Sequence, residues 1–198
     1  MIAVVLLTTS AAAGGLVSFG FQADGAAVNF DQPFSDIYGS GFGGGVHLDI
    51  DLPLILALRI SGDYISFSPD VDKYKQLYAS RNPGTLASEF SIDGGRIGFL
   101  SFAVNGKVSL PAPIISPYLT AGAGTTTLSV TDVSVKHPAL VFSTPSAINS
   151  QTKFSANVGV GVDVSLIVVS VYLEAKYTWI FTEGATSTYV PVSLGITL

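Results

Sequence analysis

An all-β fold, an eight-stranded antiparallel up-and-down transmembrane β-barrel, is what this sequence predicts. Three observations point to it. The hydrophobic pattern repeats every two residues, the composition is apolar without a helical span, and the connections alternate in length along the chain.

The two-residue repeat is clearest between Lys153 and Phe181. Phe154, Ala156, Val158, Val160, Val162 and Val164 fall on one face, and Ser155, Asn157, Gly159, Gly161, Asp163 and Ser165 on the other. The next run repeats this, with Val169, Val171, Leu173, Ala175, Tyr177, Trp179 and Phe181 opposite Ser170, Tyr172, Glu174, Lys176 and Thr178. Side chains of a β-strand point alternately to its two faces, so period two means strand. Each run suits a membrane strand, which needs about 9–11 residues tilted across the bilayer.

Hydrophobic residues make up 48% of the 198 and charged residues 12%, the latter roughly half the share usual in soluble domains. Mean hydropathy is +0.53. The longest apolar runs, Ile2–Leu7, Leu52–Leu58 and Leu166–Val169, fall short of the roughly 18 residues of a membrane helix. What remains is a large buried β core or a barrel in lipid. A net charge of −5 argues against a nucleic-acid partner. The absence of cysteine excludes disulfides and thiolate metal sites.

In chain order, residues 1–15 read as the remnant of a signal peptide: an apolar core at Ile2–Leu7, then Ala11–Ala13 as a small-residue cleavage site. Residues 16–198 form one barrel domain. Its strands are expected at Leu16–Phe30, Gly41–Leu52, Leu54–Ser68, Arg96–Leu110 and Pro117–Val130, then the pair within Lys153–Phe181, and Thr188–Leu198. Tight turns at Asp51–Pro53 and Pro111–Ile114 alternate with polar loops at Asp31–Ser40, Pro69–Gly95, Thr131–Gln151 and Thr182–Ser187. Short helix is conceivable at Lys73–Arg81. Outer-membrane barrels combine short periplasmic turns with longer extracellular loops.

Parity sorts the side chains. Phe42, Tyr64, Phe154, Tyr177, Trp179 and Phe181 lie on the apolar face near the long-loop ends of their strands, as an aromatic girdle at the membrane interface would. Phe19, Phe21 and Tyr118 are expected to form a thinner girdle at the other end. Asp24, His47, Asp49, Arg59, Asp63, Lys107, Asp163, Glu174 and Lys176 fall on the opposite face. In lipid they would be costly. In the lumen of an eight-stranded barrel, just wide enough to be filled by side chains, they can pair. That network is expected to plug the barrel; a polar pathway is the other reading.

Other chemistry is scarce. His137 sits in a Ser-containing loop, but no nucleophile motif surrounds it. GFGGG at Gly41–Gly45 opens a strand and lacks the Lys-Ser/Thr of a phosphate loop. No metal spacing occurs. The expectation is a chain that is no enzyme and has no cofactor.

The stretches GFGGGVHLDIDLPLILALRISGDYISF (41–67), ISPYLTAGAG (115–124), NVGVGVDVSL (157–166), VYLEAKYTWIFTEG (171–184) and VPVSLGITL (190–198) resemble the small outer-membrane barrel proteins. These are the porin-family or outer-membrane β-barrel domain proteins, akin to outer-membrane proteins A and W and the opacity-type surface proteins. The resemblance implies a Gram-negative outer membrane, lipid contact, insertion by the outer-membrane assembly machinery and a monomer. It implies a structural or surface-interaction role through Pro69–Gly95 and Thr131–Gln151. The rivals are a narrow pore for small solutes, a soluble lipocalin-like ligand-binding barrel, and a lipid-modifying enzyme with its site near His137.

Overall fold

The computed structural model describes residues 16–29, 38–53, 55–81, 91–110, 112–131, 133–137, 140–144, 150–166, 168–182 and 185–198. The expected signal remnant lies outside them.

The alternating runs form long strands: β1 (Val17–Asn29), β2 (Tyr38–Asp51), β3 (Leu56–Pro69), β5 (Ile97–Ser109), β6 (Ile115–Val130), β9 (Gln151–Ser165), β10 (Ser170–Thr182) and β11 (Ala185–Thr197). All pair antiparallel with their chain neighbours in the barrel, and β1 pairs with both β2 and β11, so the sheet closes on itself. Closure leaves no free edge, and an edge is what lipid does not tolerate. At one end the strands are joined through 52–55, 110–114 and 166–169.

The other end is more built than the sequence suggests. The connection after β3 contains α1 (Val71–Arg81) and β4 (Ser91–Gly94), and the one after β6 contains β7 (Val133–His137) and β8 (Leu140–Thr144). Residue type predicts polar loops for both, with a short helix conceivable only at Lys73–Arg81, which α1 contains. Asp70 caps α1 by accepting a bond from the Lys73 N–H at 3.2 Å, which supplies one of the donors a helix start leaves unpaired. The β4, β7 and β8 strands form a small sheet in that order, so residues distant in sequence pair with one another beyond this end of the barrel strands. Reciprocal bonds between Arg96 and Thr131, including Thr131 N to Arg96 O at 2.9 Å, tie the two connections at their bases. The expected loop Thr182–Ser187 is instead a tight connection: Thr182 pairs with Ala185. Strand pairing, invisible to composition, consumes the Ser and Thr residues that read as loop.

The outer wall is apolar. Phe42, Phe102, Leu119, Val160 and Leu194 are each more than half exposed, while Arg59 and Glu174 are buried inside. That arrangement is the reverse of a soluble ligand-binding barrel.

Candidate functional site

The interior is built by parity and register. On β3, Arg59 and Ser61 point inward; on β10, Tyr172, Glu174 and Lys176 do. Inward-facing glycines on neighbouring strands make room for the bulky rings. A Cβ at Gly161 would collide with the ring of Tyr118, and one at Gly195 would come 2.5 Å from the ring of Tyr172.

Near the short-turn end Arg59 is fully buried. It donates from Nε to Asp49 Oδ1 and from Nη2 to Asp49 Oδ2, both at 2.7 Å, and reaches Glu174 Oε2 from Nη1 at 3.5 Å. This two-pronged contact is the strongest geometry available to a guanidinium and a carboxylate. Lys176 Nζ lies 2.8 Å from Glu174 Oε1. Lys107 Nζ lies 2.7 Å from Asp163 Oδ2 and 3.9 Å from Asp49 Oδ2. Two of these cations also sit over rings, Arg59 at 4.9 Å from the Tyr172 centroid and Lys107 at 4.2 Å from that of Tyr118, a favourable electrostatic contact. Tyr118 therefore faces the lumen, and the expectation that it joins a girdle on the outer wall is wrong. Its strand is mostly Ala, Gly and Thr, so hydrophobicity could not assign its faces.

A second chain of bonds crosses above. Tyr172 donates its hydroxyl proton to Gln22 Oε1 at 2.6 Å and accepts from His47 Nδ1 at 3.2 Å. With Nδ1 protonated, His47 Nε2 accepts from Thr197 Oγ1 at 3.2 Å. Gln22 Nε2 donates to Asp63 Oδ1 at 2.7 Å and to Asp24 Oδ1 at 3.0 Å. Ser61 donates to Asp63 Oδ2 at 3.2 Å. The structure thus brings Asp24, His47, Asp49, Arg59, Asp63, Lys107, Asp163, Glu174 and Lys176 into one lumen. Sequence reasoning gives no role to Gln22, which links Tyr172 to the Asp24 and Asp63 carboxylates; its place opposite Phe21 on β1 is its only signal.

Toward the long-connection end the lumen turns apolar. Ala26, Ile65, Phe67, Ile97, Phe99, Ile180 and Tyr189 form a buried cluster. Phe67 and Phe99 lie 5.1 Å apart and Phe99 and Tyr189 5.3 Å, as ring centroids. The sequence does not announce this layer. At YISF (64–67) and IGFL (97–100) apolar residues stand on both faces, and only counting onward from Arg59 would place Phe67 inside.

Among the described residues two hollows lie in the lumen. One of about 340 Å³ opens at the short-turn end, lined by Asp49, Asp51, Lys107, Asp163 and several hydroxyls. The other, about 30 Å³, lies mid-barrel among Asp24, Asp63, Asn157 and Lys176. Among the described residues no group of three or more His, Cys, Asp or Glu is placed to hold a metal ion. The His137 side chain lies outside the description.

On the outer wall Phe42, Tyr64, Phe154, Tyr177 and Phe181 are exposed, and Trp179 is half-buried. Trp179 leans on Tyr177 at 4.9 Å, and Phe154 stacks on Phe181 at 5.7 Å. Phe19 and Phe21 stand exposed near the opposite end.

Comparison with known proteins finds this fold in one solved structure and weaker likenesses in two others. Neisserial surface protein A is 17% identical over 92% of this chain and 97% of its own, with a TM-score of 0.51. A major outer membrane protein of Thermus thermophilus gives 13% identity, 92% and 98% coverage and 0.49. Ail, the attachment invasion locus protein of Yersinia pestis, gives 11%, 92% and 97%, and 0.48. A search of curated proteins returns no match. The family model described as outer membrane protein beta-barrel domain matches residues 1–197. A closed eight-stranded barrel with a greasy wall and a charged interior, matched end to end by that family, belongs to it: the chain is a member of the outer membrane protein beta-barrel domain family, resident in the bacterial outer membrane.

Proposed function

We propose that the barrel is a closed membrane anchor whose work is surface interaction through its extracellular connections. One observation carries this reading: above the short-turn hollow the lumen is blocked by side chains, while the long-connection end is elaborated. Arg59, Tyr172, Phe67, Phe99 and Ile180 are all essentially inaccessible within the barrel, and the connections above them fold into α1 and the β4–β7–β8 sheet. Binding residues are commonly carried on loops held by a rigid scaffold. The luminal ion pairs serve as structural filling in this reading, and the six aromatics anchor the barrel at the interface. The proposal includes no catalysis. It also includes insertion by the assembly machinery and a monomeric state, which light scattering in detergent measures.

The test has two arms. Purified barrel in planar bilayers should give no steady conductance; a reproducible single-channel step would support the pore instead. Cells expressing the chain should adhere to matrix-coated surfaces better than cells whose chain carries short Gly-Ser linkers in place of residues 70–95 and 132–149. Equal adhesion, with both barrels heat-modifiable on gels, would overturn the surface role.

A further inference from the structure

We propose that the small mid-lumen hollow is a binding site for a monovalent cation of sodium size, held by Asp24 and Asn157 with Asp63 supplying charge. The argument begins with the charges. Arg59 is committed to Asp49 and Glu174, Lys176 to Glu174, and Lys107 to Asp163. Asp24 and Asp63 form no ion pair among the described residues. They are held instead by a neutral group, the Gln22 amide, which donates to one oxygen of each. Two carboxylates beside each other in a low-dielectric lumen repel strongly unless positive charge offsets them, and the one cation that lines the hollow with them, Lys176, is already paired with Glu174.

The second observation is independent of the carboxylates. Asn157, on the facing wall, is only 7% exposed, and its Oδ1 has no hydrogen-bond partner. Asp24, 4% exposed, likewise has an Oδ2 without a partner. Both residues line the same hollow of about 30 Å³, together with Ser101, Ser155, Ser193 and Lys176. Buried polar atoms are almost always satisfied, and each of these atoms can only accept. The hollow has room for one occupant of water size. A hard cation takes oxygen ligands such as carboxylate, amide carbonyl and hydroxyl. Gln22 and Ser61 engage three of the four carboxylate oxygens and leave Asp24 Oδ2 open as a ligand. Neutral donors leave the carboxylate charge in place, while the Lys176 ammonium at the rim opposes a second positive charge, so the hollow suits a monovalent occupant better than a divalent one. Lys176 borders the hollow, and its ammonium is held by Glu174.

The experiment uses the full barrel refolded in detergent at constant pH and ionic strength, with sodium chloride replacing N-methyl-D-glucamine chloride. The melting midpoint, read as loss of the compact unboiled gel band, should rise saturably by about 2–4 °C. In the Asp24→Asn/Asp63→Asn double variant the rise should vanish, and in Asp163→Asn, whose carboxylate pairs elsewhere, it should persist. A wild-type midpoint flat in sodium but responsive to pH would mean the pair is neutralised by a proton and would overturn the site. So would an undiminished sodium response in the double variant. If that variant does not fold, sodium-23 relaxation of the wild-type barrel decides: line broadening saturable in sodium supports the site, and its absence refutes it.

Discussion

Arg59 and Phe67 point into the same lumen from the same strand, and they close it by opposite means. At the short-turn end the filling is ionic: Arg59 against Asp49 and Glu174, Lys107 against Asp163. Toward the long-connection end it is hydrocarbon: Phe67, Phe99, Ile65 and Ile180. The difference lies in what each filling demands. A buried ion pair is stable only while both partners are present. An apolar layer asks only for volume and shape. One barrel therefore carries a half that fails by loss of a partner and a half that fails by loss of bulk.

That contrast can be tested directly. The largest effect is expected from Arg59→Met, which strands Asp49 without its guanidinium. It should cost about 3–5 kcal/mol, read from urea unfolding of the barrel in vesicles. Adding Asp49→Asn should recover most of the loss, because Glu174 keeps Lys176; a double variant as weak as the single would show that the pair does not act through charge. In the apolar half Phe67→Ala should also cost about 3–5 kcal/mol through the cavity it leaves, with no rescue from any polar partner change. The outer wall supplies the reference. Val158→Arg, at the middle of β9, should cost about 2–4 kcal/mol in a bilayer, and a negligible cost there would mean that this wall does not face lipid. The smallest effect is expected at Gly161→Ala, about 1–3 kcal/mol, because Tyr118 must leave its place over the glycine. The Lys107–Tyr118 contact should go with it, visible as a change in tyrosine fluorescence.

The ionic half is legible in the sequence and the hydrocarbon half is not. Charges mark a face unambiguously, so Arg59 and Glu174 declare the lumen by opposite parity to Leu58 and Leu173. At 64–67 and 97–100 both faces are apolar, and hydrophobicity carries no parity there; Phe67 and Phe99 read as wall or interior alike. The eight strands are visible because each spans a membrane's width, and long alternation is hard to mistake. Their ends are less so. Tyr38–Ser40 extend β2 and Ala185–Ser187 extend β11 although they read as loop, because backbone pairing with a neighbour strand leaves no mark on residue type. The network's joining residue, Gln22, is hidden for another reason: its importance comes from Asp63 and Tyr172, which lie far away in sequence and meet it only when the barrel closes.

On the proposed surface role, the pairing of β4 with β7 decides what an outside binder would recognise. The strand from one long connection pairs with the hairpin of another. An antibody raised on intact cells would read an epitope assembled from both, and a synthetic peptide of either connection alone would not reproduce it. Sequence drift in one connection is likewise constrained by the other, so the two should vary together wherever this surface is under immune pressure.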